Sequence, residues 1–182
     1  YIPLVPPAFN FDANVLEDAF KQGIKAILIC NPSNPSGRVF TYEELKESDL
    51  IPFQTAIDAG AEVIMTAHIQ FPCIETETYC SISTGEDITL PATLSKTILT
   101  DILRGDMGFD GVIVTDAMNM DAIAAHFDPM DAARLTIEAG ADMILMPVDT
   151  SSEDGIAALG TYIEQLAAMV DSGTISAKQI DD

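Results

Sequence analysis

Short apolar runs alternate along this chain with longer stretches whose apolar positions recur every three or four residues. The runs Lys25–Cys30, Ala61–His68, Val112–Val114 and Ala141–Leu145 read as buried strands, and Ile2–Val5 is a fifth strand candidate. The helical spacing of Val15, Leu16, Ala19 and Phe20 predicts a helix from about Phe11 to Gly23, with Asp12 or Asn14 as N-cap. Thr41-Tyr42-Glu43-Glu44 reads as a capping box, Thr41 as N-cap and Glu44 reaching back, opening a helix that runs with interruptions to Ala59. Pro52 inside it predicts a kink or a restart near Asp49. Further helices are expected over Leu94–Met107, Asn119–Phe127 and Asp154–Ser172. Gly173-Thr174-Ile175-Ser176 ends the last and begins another.

Ala56–Met65 recurs as Thr136–Leu145. Each copy reads as a helix end, a glycine C-cap and a buried strand. With the Leu94–Met107 helix and its strand between them, three helix–Gly–strand units predict parallel βαβ crossovers and an α/β fold. The N-terminal stretch contributes one further βαβ segment.

Gly108–Asp116 carries the densest signal. Gly111 is expected to let the chain turn sharply out of the preceding helix. Asp116 stands where the strand stops, and chemistry collects at the carboxyl ends of parallel strands. The plainer reading is that Asp116 caps the helix that follows. Residues 69–93 read as a long irregular excursion after the Ala61–His68 strand, of a length more often functional than idle.

Composition narrows the classes. With 182 residues, 48% of them hydrophobic, the chain can bury one sizeable core. The net charge of −21 argues against nucleic acid, acidic substrates and anionic membranes as partners. No apolar run approaches the roughly 20 residues that span a bilayer. The Pro-rich start, without basic residues, is not read as a signal peptide. It also lacks an initiator Met, as a fragment or processed chain would. The three cysteines, Cys30, Cys73 and Cys80, have no zinc spacing. Free thiols in a reducing, cytoplasmic setting are expected, with a Cys73–Cys80 disulfide as the alternative.

Asn31-Pro32-Ser33-Asn34-Pro35-Ser36-Gly37, followed by Val39 and the Glu43-Glu44-Leu45 helix start, resembles fold-type I pyridoxal-phosphate aminotransferases over about residues 1–45. The resemblance implies that Asn34 would contact the cofactor's phenolic oxygen. That family's Schiff-base Lys and pyridinium-binding Asp have no counterparts downstream, so a stiff βα loop without cofactor is the favoured reading. No cofactor and no metal are expected.

From about residue 43 to Asp182 the chain resembles glycoside hydrolase family 3, in its β-N-acetylglucosaminidase branch. The matching stretches are Asp49–Phe53, Ala59-Gly60-Ala61 with Ile64–His68, Pro91–Ser95, Gly108–Asp116 and Ala139–Asp142. The tail from Gly173-Thr174-Ile175-Ser176 to Ile180-Asp181 also fits. The resemblance implies a partial (β/α)8 TIM barrel, about three C-terminal units, with Asp116 as the nucleophile of a retaining glycosidase, a carboxylate that attacks the anomeric carbon. It implies substrate-binding roles for His68 and Asn119, and a terminal β-linked N-acetylhexosamine as substrate. His68 reads equally well as a hydrogen-bonded brace for the long loop, and His126 as structural. The family's proton-donor His loop and its Lys-His-Phe strand are missing, their place taken by the aminotransferase-like segment. The chain therefore reads as a chimera, residues 1–44 joined to 45–182 at a junction between Gly37 and Leu45, with weak or no activity expected. The alternatives are a non-catalytic α/β scaffold that self-associates through uncovered strand edges and a pyridoxal-phosphate-binding remnant.

Overall fold

The computed structural model describes residues 42–47 and 49–181, together with Asn14, Asp18, Lys21 and Gln22. The expected strands Ile2–Val5 and Lys25–Cys30, the Asn31–Gly37 loop with Asn34, and the Thr41 cap lie outside the described residues. Asn14, Asp18 and Lys21 are helical, as expected for that stretch, and Gln22 N–H donates to the Asp18 carbonyl at 3.1 Å.

The chain divides into two compact units. The first takes the chain to Ile64 together with Met107–Gly111, and the second comprises Met65–Asp106 and Val112–Asp182. In the first, the stretch after Thr41 forms two helices, α1 (Tyr42–Glu47) and α2 (Leu50–Asp58). The restart at Asp49 is the one Pro52 predicts. As the third residue of α2, Pro52 lacks only an N–H that would have no intrahelical partner. Gly60 N–H bonds the Ile57 carbonyl and Ala61 N–H the Ala56 carbonyl, both at 2.9 Å, a Schellman closure with Gly60 at φ 85°.

The Gly108–Gly111 turn works differently from expectation. Gly108 holds the left-handed backbone, at φ 69°, whereas Gly111 has no positive φ. Gly111 is needed for closeness instead. A Cβ there would stand 2.5 Å from the Glu62 carbonyl oxygen and 2.7 Å from the Phe109 ring.

The second unit holds the sheet in which the candidate site sits. β1 (Val63–Met65) enters it, and β4 (Val112–Val114) is its neighbour. Thr66 N–H donates to the Val114 carbonyl at 2.8 Å. On the other side of β4, Val114 forms a parallel bridge with Met143. Asp142 and Met143 donate to the Ile113 carbonyl, and Thr115 N–H returns to the Met143 carbonyl at 3.0 Å. The order is thus residues 65–66, 112–115 and 142–145, three neighbours in chain sequence. The strands expected over Ala61–His68 and Ala141–Leu145 are shorter than the apolar runs. The first keeps three ladder residues, and the second is reduced to one bridge.

Among the described residues, exposure along this sheet is uneven. Ile113 and Thr115 are wholly buried, whereas Met65 and Met143 are 51% and 53% exposed. Helices α4 (Pro129–Ala139), α5 (Glu153–Asp171) and α6 (Ala177–Asp181) follow α3 (Asp121–Ala124). Asp128 caps α4 by accepting from Met130 and Asp131 N–H, Pro129 follows at the first turn, and Gly140 ends the helix at φ 98°. Asp142 Oδ2 accepts from Ile113 N–H at 2.7 Å and from Arg104 at 2.6 Å, tying the strand edge to the helix before β4.

That helix, expected as an α-helix from Leu94, is a short 3-10 turn over Ala92–Leu94 followed by a π-helix, Thr97–Asp106. Its buried Leu99, Ile102 and Leu103 are spaced by three and four residues, a spacing that suits either winding. The excursion 69–93 is likewise ordered rather than irregular. It is an antiparallel hairpin, β2 (Thr78–Cys80) against β3 (Asp87–Thr89), turned at Gly85 with φ 71° and closed at its base by a Gln70–Pro91 bridge. Cys73 and Cys80 are exposed thiols, not a disulfide. Leu90, Leu94, Met118, Ile123, Phe127 and Ala132 form the core under the hairpin, with Tyr79 stacked on Phe127 at 4.7 Å between ring centres. Burying Phe127 alone contributes about 2–3 kcal/mol. The Tyr79 hydroxyl donates to Asp131 at 3.0 Å, so the hairpin is pinned to the start of α4; burial, the largest effect, raises its pKa above 10.

Candidate active site

Asp116 follows β4 between two anchored neighbours. Before it, Thr115 is wholly buried; its N–H donates to the Met143 carbonyl, and its hydroxyl oxygen accepts Leu145 N–H at 2.9 Å. After it, Ala117 N–H donates to Asp116 Oδ1 at 2.7 Å, and Met118 N–H donates to the Leu145 carbonyl at 2.9 Å. The Asp116 carboxyl is half-buried. The plainer reading of this residue, a helix cap, does not hold. Helix α3 begins only at Asp121, and its N-cap position, Met120, makes no side-chain cap bond.

The Ala117 carbonyl accepts from Met120 N–H at 3.1 Å and from His68 Nε2 at 3.0 Å. A carbonyl only accepts, so Nε2 carries the proton. In the neutral ring, Nδ1 then accepts from the Thr93 hydroxyl, 3.0 Å away, and the Thr66 hydroxyl donates to Thr93 across 2.9 Å. Thr66 and Thr93 are both buried. The bracing role expected as one reading of His68 is present, and a direct hydrogen bond from its ring to a ligand would require breaking one of these two bonds. Asn119 is exposed, three residues beyond Asp116. Met146, at the end of the third strand, takes a left-handed φ of 48° and is 51% exposed.

Two links position the excursion, one through His126 and one through Glu75. His126 Nδ1 lies 2.9 Å from Ser81 Oγ, and its carbonyl accepts Ile82 N–H, which fixes the hairpin tip. At the base, Glu75 is 2% exposed; Ser95 Oγ donates to its Oε2, and Glu77 N–H donates to its Oε1 at 2.8 Å. Ser95 also accepts Ile98 N–H at the start of the π-helix. Thr66, Thr93, Glu75 and Ser95 were given no role by their spacing. Thr66, Thr93 and Ser95 do fall inside stretches that carry the family resemblance, which was the available signal. Among the described residues, no group of His, Cys, Asp and Glu could hold a metal ion, and no helix is long and apolar enough to cross a membrane.

Comparison with known proteins supplies the context. The model of the glycosyl hydrolase family 3 N-terminal domain matches residues 37–182, and that of class I and II aminotransferases matches residues 1–52. A β-hexosaminidase A from Pseudoalteromonas piscicida is 37% identical over 139 residues, covering 76% of this chain and 23% of that protein. A β-hexosaminidase from Chromobacterium violaceum is 37% identical over 106 residues, covering 58% of this chain and 26% of its own length. The chain thus spans about a quarter of these relatives. Among solved structures, the β-N-acetylglucosaminidase of Thermotoga maritima superposes with a TM-score of 0.63 at 31% identity, covering 78% of this chain and 27% of that one. A β-N-acetylglucosaminidase from Paenibacillus sp. str. FPU-7 gives 0.61 at 38% identity, covering 78% and 24%.

Proposed function

The chain belongs to glycoside hydrolase family 3, and from that premise we propose that it carries the nucleophile side of a retaining β-N-acetylhexosaminidase site, with Asp116 as the nucleophile. The observation that carries this reading is the placement of the Asp116 carboxyl, half-buried at the end of β4 and held between anchored Thr115 and Met118. A nucleophilic carboxylate must be fixed within a fraction of an ångström of its attacking position, and a strand end seamed to its neighbour supplies that rigidity. The substrate is a carbohydrate with a terminal β-linked N-acetylhexosamine, with Asn119 and the edge of the His68 ring lining its pocket.

Three neighbouring strand segments with helix–Gly–strand repeats support a partial (β/α)8 barrel of about three units. The two family models overlap over residues 37–52, which supports a chimera of modules 1–44 and 45–182. In that chimera the proton-donor loop is absent, so turnover is weak or nil. The reducing, cytoplasmic setting rests on the cysteine usage alone. Asn34 and any binding of pyridoxal phosphate rest on the aminotransferase-like motif alone.

The test is hydrolysis of an aryl N-acetyl-β-glucosaminide by the purified chain. Turnover that falls to the uncatalysed background in Asp116→Asn supports the assignment; turnover unchanged in that variant removes it. A second reading, a self-associating scaffold, is favoured by Met65 and Met143, half exposed on the sheet. Sedimentation giving a monomer at all concentrations would exclude it.

A further inference from the structure

We infer that His68 is a positioning residue for Asp116, acting through Ala117, and that Thr93 and Thr66 hold its ring in the tautomer that does so. This inference rests on the reading of Asp116 as nucleophile. The residues come from three distant stretches, His68 lying 25 positions from Thr93 and 49 from Ala117. Asp116 Oδ1 is held by the N–H of Ala117, so the carboxylate follows that residue's backbone. The next peptide, Ala117–Met118, is fixed at both ends. Its carbonyl takes His68 Nε2–H, and its N–H reaches the Leu145 carbonyl. Without His68 the carbonyl keeps only its local turn bond from Met120 N–H at 3.1 Å.

The Ala117 carbonyl, which only accepts, decides that Nε2 carries the proton, and the threonines complement that choice. With the proton on Nε2, facing the carbonyl, Thr93 donates to the bare Nδ1 and in turn accepts from Thr66. Thr93 is wholly buried and Thr66 9% exposed, so no bulk water replaces these hydroxyls. A Thr93→Val side chain keeps the shape and removes the donor, whereas Thr93→Ser keeps the donor.

The probe for the carboxylate is a 5-fluoro N-acetyl-β-glucosaminyl fluoride. An Asp116 oxygen forms a bond to the anomeric carbon, the carbon–fluorine bond there breaks, and fluoride leaves with the electron pair. No proton donor is required, so the missing loop does not interfere. The labelled Asp116 peptide is followed by mass spectrometry. Labelling is expected to slow roughly 10–100-fold in His68→Ala and Thr93→Val, as for a reacting group displaced by a fraction of an ångström, and to recover in Thr93→Ser. Equal labelling rates in the wild type, His68→Ala and Thr93→Val overturn the inference.

A second measurement is independent of the nucleophile. The chain has two histidines, so ¹⁵N ring spectra, with His126→Gln to assign them, report the His68 tautomer directly. Protonated Nε2 with an unprotonated Nδ1 whose shift moves in Thr93→Val is expected. A proton on Nδ1 in the neutral ring overturns the relay. If the wild type does not label while the ring shows the expected tautomer, the nucleophile reading fails and the hydrogen-bonded clamp stands.

Discussion

The Thr115 hydroxyl oxygen accepts the backbone N–H of Leu145 at 2.9 Å, doing the work of a ladder carbonyl one residue before Asp116. The third strand is therefore sewn to β4 by a side chain where the backbone pairing stops. Thr115→Val leaves a part-buried N–H without its acceptor and is expected to cost about 1 kcal/mol, while Thr115→Ser costs less than half as much. Urea unfolding of the three proteins measures it. An equal loss in Val and Ser would assign the effect to packing.

Leaving-group chemistry gives a second prediction. On the chimera reading proposed above no acid protonates the departing oxygen, and natural glycosides are expected to forfeit the roughly 10²–10⁴-fold contribution of general acid catalysis. A nitrophenyl glycoside, whose leaving group departs as an anion, loses far less. The ratio of the two rates on one purified sample is expected to be large. Equal rates would mean that another residue delivers the proton.

The two glycines of the turn before β4 are predicted to separate in their response to alanine. Gly108 meets nothing within 4 Å, so Gly108→Ala pays only for its left-handed φ of 69°, about 1 kcal/mol. Gly111→Ala drives a methyl into the Glu62 carbonyl and the Phe109 ring, at 2.5 and 2.7 Å. Displacing backbone is expensive, and a loss of about 2–3 kcal/mol is expected. Thermal unfolding checks the order; a larger effect at Gly108 would refute it.

How much of this was legible in sequence follows from the range of each signal. Glycine C-caps at Gly60 and Gly140 and the Pro52 restart act within four residues, and such local chemistry can be read directly. The stretch Val112–Asp116 announced both a strand and its terminal carboxyl. The hairpin was not visible, because Thr78–Cys80 and Asp87–Thr89 are too short for alternation to register. The π-helix was hidden by a three- and four-residue spacing common to both windings. The Thr66–Thr93–His68–Ala117 chain was beyond reach. Its members lie tens of positions apart, and only the fold brings their polar atoms together.

Alkaline pH offers a fourth test. Burial pushes the Tyr162 hydroxyl up to about 12, from 10.0, and the residue is 7% exposed. The unfolded chain loses this proton near pH 10, and the folded chain holds it to about 12. The associated stability is complete below pH 10 and is lost as pH rises from 10 through 12, by up to ~3 kcal/mol. Tyr162→Phe should flatten that decline while changing stability little at pH 8. A decline equally steep in the variant would place the titrating group elsewhere.

The uneven exposure of the methionines also decides where oxidants act. Met65, Met120, Met143 and Met146 are 45–53% exposed, whereas Met107 and Met118 lie below 10%. Thioether oxidation follows access, so peroxide converts the first four to sulfoxides while the sulfurs of the core stay reduced. Each conversion plants a polar, chiral group on what had been greasy surface, at the mouth of the strand ends and along the sheet. The side of the sheet that carries Met65 and Met143 is thus also the side on which the protein ages chemically.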